Sequence, residues 1–223
     1  MIFRLTATFA FLTLALSACA ENTTPIVHPT DVGGTEDTGD TDIGGGDDTG
    51  NGENPNDPCA TLTLTEAEQR IYDNIMTERA AVGQPSIPLS PSLMKVARAH
   101  ATDSANHYAS LPDTCNLHSW SDQGDWEACC YTSNHANAAC MWSKPKEVSN
   151  FDAQGYEISA WGTPTLQNAV ADWMNSPPHK AVLLNEGDMW SRAPFLSIGI
   201  GLDGNEEAGQ FAHVWFAWES ECP

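Results

Sequence analysis

Four polar residues sit in apolar surroundings at wide spacing: His118 in CNLHSWSDQG, Glu157 in GYEISAWG, His179 in NSPPHKAV and His213 in FAHVWFAW. Imidazoles and a carboxylate from distant segments are what a zinc site or a general acid–base pair needs. A tetrahedral ion draws its ligands from several elements, and a base needs an orienting partner. Wide spacing alone does not bring them together. Other chemistries lack their marks, since no G-x-S-x-G, H-E-x-x-H or Walker run occurs. Gly199 to Gly204, GIGLDG, does match G-x-G-x-x-G. It leads into an acidic turn and a second strand-like run, however, so no helix N-terminus follows to hold a pyrophosphate. It reads as a strand and a hairpin turn.

The elements that must position these residues can be read from their caps and periods. Thr65 and Glu68 form a capping box that opens a helix through Ile71, Ile75 and Met76 to a stop at Gly83. Ser90-Pro91 opens a second, with Leu93, Val96, Ala97, His100 and Ser104 on one stripe. His100 is expected there as a satisfied, partly buried helix histidine rather than a ligand. Thr163-Pro164 opens a third, with Leu166, Ala169, Val170 and Trp173 facing inward. At WMNSPPHK that helix stops and another begins, with Ser176 as N-cap, Pro177 at the first helical position and His179 at the third. The positive end of the helix dipole disfavours imidazolium, so His179 tends to the neutral form that coordinates metal or accepts a hydrogen bond. The plainer alternative is a histidine that only bonds nearby backbone. In FLSIGIGL, Leu196, Ile198, Ile200 and Leu202 alternate with small residues, DGNEEAG turns the chain, and FAHVWFAW follows. Helices first and an antiparallel hairpin last give an α+β layered domain.

The chain has 223 residues with 30 Asp and Glu against 9 Lys and Arg, a formal charge of −21. Nucleic-acid binding and nonspecific attraction to anionic lipid are disfavoured. Residues 1–20 carry one arginine and an apolar run from Leu5 to Leu16, too short to span a bilayer but right for a signal peptide. Leu16-Ser17-Ala18-Cys19 resembles a lipobox, with Cys19 as the lipidated residue, although Ala18-Cys19-Ala20 also fits ordinary cleavage. Residues 21–58 form an acidic linker expected to be disordered. Residues 59–223 form one domain. Its Cys59, Cys115, Cys129, Cys130, Cys140 and Cys222 suggest three disulfides in an oxidising compartment. Cys59 and Cys222 bracket the domain and are expected to pair. The connectivity of the other four is open, except that the neighbours Cys129 and Cys130 should bond outward. The eight tryptophans are expected to serve packing more than a binding face.

Several of these segments, in this order from about Leu64 to Trp218, resemble one family. They are Arg79 and Gly83, Leu89, Leu93 and Ala97, HSWSDQG, GYEISAWG, AVADWMNSPPHKAVLLN and SIGIGLDG with its aromatic strand. They are similar to the CAP superfamily, the cysteine-rich secretory, antigen 5 and pathogenesis-related-1 proteins with their SCP domain. The resemblance implies a three-layer α-β-α sandwich with a central cleft, whose histidines and glutamates bind a divalent metal such as zinc in some members. By position, His118 corresponds to the family's first histidine, Glu157 to its GEN glutamate and His179 to its SPGH histidine. Ser176 stands where many eukaryotic members have a second glutamate, and Ile158 replaces the asparagine of GEN. Laying Gln210 to Phe216 on H-Y-T-Q-V-V-W puts Gln210 at the histidine and His213 at the glutamine, so both join the candidate cleft residues. The Cys-rich insert from Cys115 to Lys146 is expected to roof the cleft.

The expected function is that of an exported CAP domain, tethered through Cys19, whose cleft binds a small ligand (a lipid in some family members) or an envelope component without turnover. Two alternatives stand beside it. One is a hydrolase in which His118, Glu157 and His179 hold zinc with an open fourth position. The other is an adhesive ectodomain that uses the Trp- and Cys-rich insert as its contact surface.

Overall fold

The structure, a computed structural model, describes Cys59 and residues 62–162, 168–205 and 209–222. The chain divides into two units, Met1–Thr49 and Gly50–Pro223. The expected signal segment, Cys19 and the acidic linker lie outside the described residues, and all that follows concerns the second unit.

Helix α1, Glu66–Ala81, opens on the expected capping box: the Thr65 side chain accepts from Glu68 N at 3.2 Å, and Glu68 Oε2 accepts from Thr65 N at 2.8 Å. It runs out just before Gly83, whose φ of +77° suits glycine. Helix α2, Pro91–His107, opens where Ser90 Oγ accepts from Leu93 N at 3.0 Å. Two short helices, α3 (Ala138–Trp142) and α4 (Lys144–Ser149), lie in the Cys-rich insert. Then come α5, Ala169–Asn175, α6, Pro177–Leu183, and α7, Gly187–Trp190. The expected start of the third helix at Thr163-Pro164, with Leu166, falls outside the described residues; α5 has Asn168 at its N-cap position without a side-chain capping bond and buries Ala169, Val170 and Trp173. Ser176 occupies the N-cap position of α6 but its side chain makes no capping bond, a correction to its reading as a side-chain cap.

The sheet has three antiparallel strands, one more than the hairpin read from the sequence. GYEISAWG supplies β1, Tyr156–Gly162, beside β2, Ser197–Asn205, and β3, Gly209–Ala217, in the order β1-β3-β2. Leu196 lies outside β2 and is 41% exposed, so the buried alternation starts at Ile198. The period of two sorts the strands into two faces. Ile158, Ile200, Val214 and Phe216 join a core with Ile71 and Ile75 of α1, Val170 and Trp173 of α5 and Leu183 of α6. On the opposite face Trp215 joins Leu93, Val96 and Ala97 of α2 and Trp120 of the insert. Burying each such aliphatic or aromatic side chain contributes about 1.5–3 kcal/mol. The fold is thus α+β with a core on each side of the sheet.

The GIG run has a mechanical explanation. A Cβ at Gly199 would overlap the Leu93 backbone, and one at Gly201 the Ala97 backbone. The two glycines let α2 lie directly on β2, which brings His100 and Ser104 down onto the sheet.

Three disulfides join Cys59 to Cys222, Cys115 to Cys130 and Cys129 to Cys140. The first closes the domain's ends, and the vicinal pair bonds outward. Bridges of this kind form in oxidising compartments, which makes the chain an extracytoplasmic protein. Among the described residues no helix is long and apolar enough to cross a membrane.

Candidate functional site

The site is assembled around one carboxylate. In the register of the sheet Glu157 lies opposite Trp215 and Ser159 opposite His213, so Glu157, Ser159 and His213 share the face that α2 covers. His100 descends from α2 between two rings, Trp120 at 4.1 Å and His213 at 3.9 Å between centroids. The loop carrying His118 is fastened to α2 twice. The Ser119 carbonyl lies 2.9 Å from His100 Nε2, and Asp103 accepts from Ser121 N at 2.8 Å and from the Ser121 hydroxyl. The Cys115–Cys130 bridge holds the base of that loop. His118 thereby reaches Glu157 from the open side, its side chain 20% exposed while that of Glu157 is fully buried.

Glu157 meets three imidazoles: Oε1 lies 2.6 Å from His100 Nδ1 and 2.7 Å from His213 Nδ1, and Oε2 lies 2.7 Å from His118 Nδ1. Counting hydrogen-bond partners assigns the protons. His100 faces an acceptor on both sides, the Ser119 carbonyl and the Glu157 carboxylate, so both its nitrogens donate. His213 gives Nδ1–H to Glu157, and its Nε2 lies 3.1 Å from the Ser104 hydroxyl, which donates, so a neutral ring suffices. Burial and the charge of His100 push His213 down to about 4, against the pull of Glu157. For Glu157, burial alone would raise the carboxyl; the electrostatic pull of His100 and His213, with the bonds from His100 and His118, outweighs it and holds Glu157 well below the usual carboxylate range. His118 gives Nδ1–H to Glu157, which leaves Nε2 with a free lone pair.

Outside this cluster lies a cavity of about 540 Å³, bordered by His118, Glu157 and, from the first turn of α6, His179. Its other walls include Met141, Trp142, Ile158, Val182 and Trp190. His179 is half-buried; burial, and then its proximity to a second imidazole, His118, lower its pKa, because two protonated rings at one cavity would repel each other. His135, at φ +58° in the insert, lies on the same cavity and bonds the Tyr131 hydroxyl through Nδ1 at 2.8 Å.

Of the residues singled out from the sequence, His118, Glu157 and His213 are in direct contact, and His179 faces His118 across the cavity. Gln210 is not among them. It pairs with Gly162 and Gly204 near the other end of β3, three residues from His213 and so on the opposite face. The sequence reading placed His100 as a satisfied, partly buried helix histidine; it is satisfied but fully buried, and it is a direct partner of Glu157. The signal that could have marked it is the pair His100 and Ser104, polar residues four apart at the end of an apolar stripe. A polar end on a buried stripe requires a polar partner below it.

Two catalytic arrangements can be tested against this geometry. His118, Glu157 and His179 do not fit zinc as they stand, because both Glu157 oxygens are already taken by imidazole N–H groups. Zinc bonds of about 2.0–2.1 Å would also need tetrahedral donor pairs about 3.3 Å apart, wider than the 2.6–2.7 Å contacts present. Among the described residues the one set of donor atoms within 4.8 Å of each other is His100, Glu157 and His213, all buried. Ser104, His213 and Glu157 have the connectivity of a Ser-His-carboxylate triad. Ser104 is 3% exposed and does not line the cavity, so no substrate carbonyl reaches its hydroxyl.

No family model matches the chain, and no curated protein matches it. Among solved structures the chain is similar to an outer surface protein from Borrelia burgdorferi, at 19% sequence identity and a TM-score of 0.47, over 70% of this chain and 95% of that one.

Proposed function

We propose that the chain is an exported CAP-type domain, an α-β-α sandwich tethered to a membrane through lipidated Cys19, whose cleft binds a small ligand without turning it over. The order of the motifs from Leu64 to Trp218 and the apolar core on each face of the sheet support the fold assignment. The observation that carries the binding reading is the cleft itself. It is a cavity of about 540 Å³ with apolar walls and a narrow imidazole rim, and no Ser, Thr, Cys or Lys among its described lining residues. Glu157, bonded to His100 and His213 beneath, acts as a positioning residue: it fixes the His118 ring and its tautomer.

The test fills the cavity. Ala181 lines it from α6, half-buried and outside the helix's buried pair Val182 and Leu183, so Ala181→Trp should occupy the space while leaving the core intact. Titrating tryptophan fluorescence with decanol, wild type should saturate, and the variant should bind at least roughly tenfold more weakly, about 1.4 kcal/mol, with an unchanged melting temperature. A wild type that binds no apolar probe sinks the reading.

The hydrolase alternative needs zinc on His118, Glu157 and His179, which border one cavity. Metal analysis after equilibration with Zn²⁺ near neutral pH decides it, and well under one equivalent is expected. A full equivalent lost in both His118→Ala and His179→Ala would replace the binding reading with a metal site. The adhesive alternative finds less support, because Trp120 of the insert is 1% exposed and none of the exposed large apolar side chains lies in the insert.

A further inference from the structure

The walls of the cleft restrict the chemistry of what they hold. Four aromatic residues border it: Tyr131, Trp142, Tyr156 and Trp190. Tyr156 stands between two of them, its centroid 6.3 Å from Trp142 at an interplanar angle of 54° and 5.3 Å from Trp190 at 81°. Tyr156 is 4% exposed and packs on Trp218 at 4.6 Å, so it joins the two rings into a corner while the half-buried Trp142 and Trp190 carry the aromatic surface open to the cavity. No Lys or Arg is among the described lining residues. The charge of Glu157 is balanced by His100 beneath it, and burial favours neutral His179. An anionic head would therefore meet no fixed cation in the cleft and would be repelled by a chain of net charge −21. A cationic head meets the opposite conditions: aromatic faces that attract it, the lone pair of His118 Nε2, and a long-range field that draws it in.

We propose that the ligand of this cleft is an amphipathic organic cation, an alkylated ammonium carried on an apolar body, with the head in the corner of Trp142, Tyr156 and Trp190. This deepens the binding reading and rests on it. The apolar body lies along Met141, Ile158 and Val182, which continue the same walls. Each exposed cation–π contact contributes about 0.5–1 kcal/mol, and more when desolvated, so two or three rings suffice for a roughly tenfold preference.

Calorimetric titration of the purified chain at physiological salt with three probes of one chain length tests this: decyltrimethylammonium, decanol and decanoate. The ammonium should bind roughly tenfold tighter than the alcohol, and the carboxylate more weakly than either. Trp190→Leu keeps an apolar wall and removes a ring, so it should cut the preference for the ammonium roughly two- to fivefold while decanol affinity holds. Trp142→Leu is the second variant should the first melt early. Equal binding of ammonium and alcohol, or a preference for decanoate, overturns the cation while leaving the ligand site standing; no binding of any probe overturns both. Decylphosphocholine separates two sources of the same head group. Binding as tight as the ammonium assigns a choline-headed lipid and weaker binding a free ammonium, and the ammonium assignment gains from either.

Discussion

Three imidazoles compete for the two oxygens of Glu157, and burial decides how they divide the protons. His213 is held neutral by burial and by the charge of His100, with its pKa near 4 against an ordinary 6.5. Between those values the unfolded chain binds a proton that the folded chain refuses, so stability falls as pH falls. The contribution is fully present above 6.5 and is lost on descent to about 4, in all about 3 kcal/mol. Glu157 acts in the same direction at lower pH: its contribution is present above the ordinary carboxylate range and disappears as pH falls toward its depressed value. Urea unfolding at stepped pH should therefore show stability dropping through this window, with a shallower slope in His213→Asn. An equal slope in the variant would mean that another group controls the acid limb. His118, Glu157 and His179 could be singled out by residue type and local context. The pairing of His100 with Glu157 could not, because it joins a helix to a strand 57 residues away.

At the scale of elements, the seat of α2 on β2 sets the height of His100 and Ser104 above the sheet. Gly201→Ala places a Cβ against the Ala97 backbone, which cannot yield as a flexible side chain would. A loss of about 1–3 kcal/mol is expected, together with weaker ligand binding, because His100 rises and loosens Glu157 and the His118 loop. Differential scanning calorimetry paired with the decanol titration checks both, and a variant as stable as wild type would show that the helix does not sit so close. Arg79 plays the matching part on the other face. Fully buried, it bonds the Leu183 carbonyl at 2.7 Å and Asn185 Oδ1 at 2.8 Å, tying α1 to the end of α6, the helix that presents His179. Helix starts at Thr65 and Ser90 were legible because a cap is a local hydrogen bond within four residues. Strand β1 was not, because its partner β3 lies some fifty residues on and its alternation carries a glutamate and a serine inward to meet His100 and His213.

For the whole molecule, the Cys59–Cys222 bridge closes the domain at its ends and keeps Glu221 against the start of α2, where it accepts from Ser92 N at 3.0 Å and from the Ser90 and Ser92 hydroxyls. The tether proposed at Cys19 is a separate matter. If Cys19 is lipidated, Cys19→Ser should move the protein from the membrane fraction to the soluble one, read by fractionation and immunoblotting; a wild type already soluble rules the tether out. Composition and local pattern by themselves determined three bridges, the α+β class, two helix caps and a short roster of polar candidates. Each of these rests on interactions a few residues long or on residue counts. Tertiary structure alone decided that Glu157 is shared by His100, His118 and His213, that Gln210 turns to the other face, and that His179 looks onto a cavity walled by aromatic residues. Those outcomes depend on register and on the close approach of a helix to a sheet, where one residue of slip moves a side chain to the opposite face.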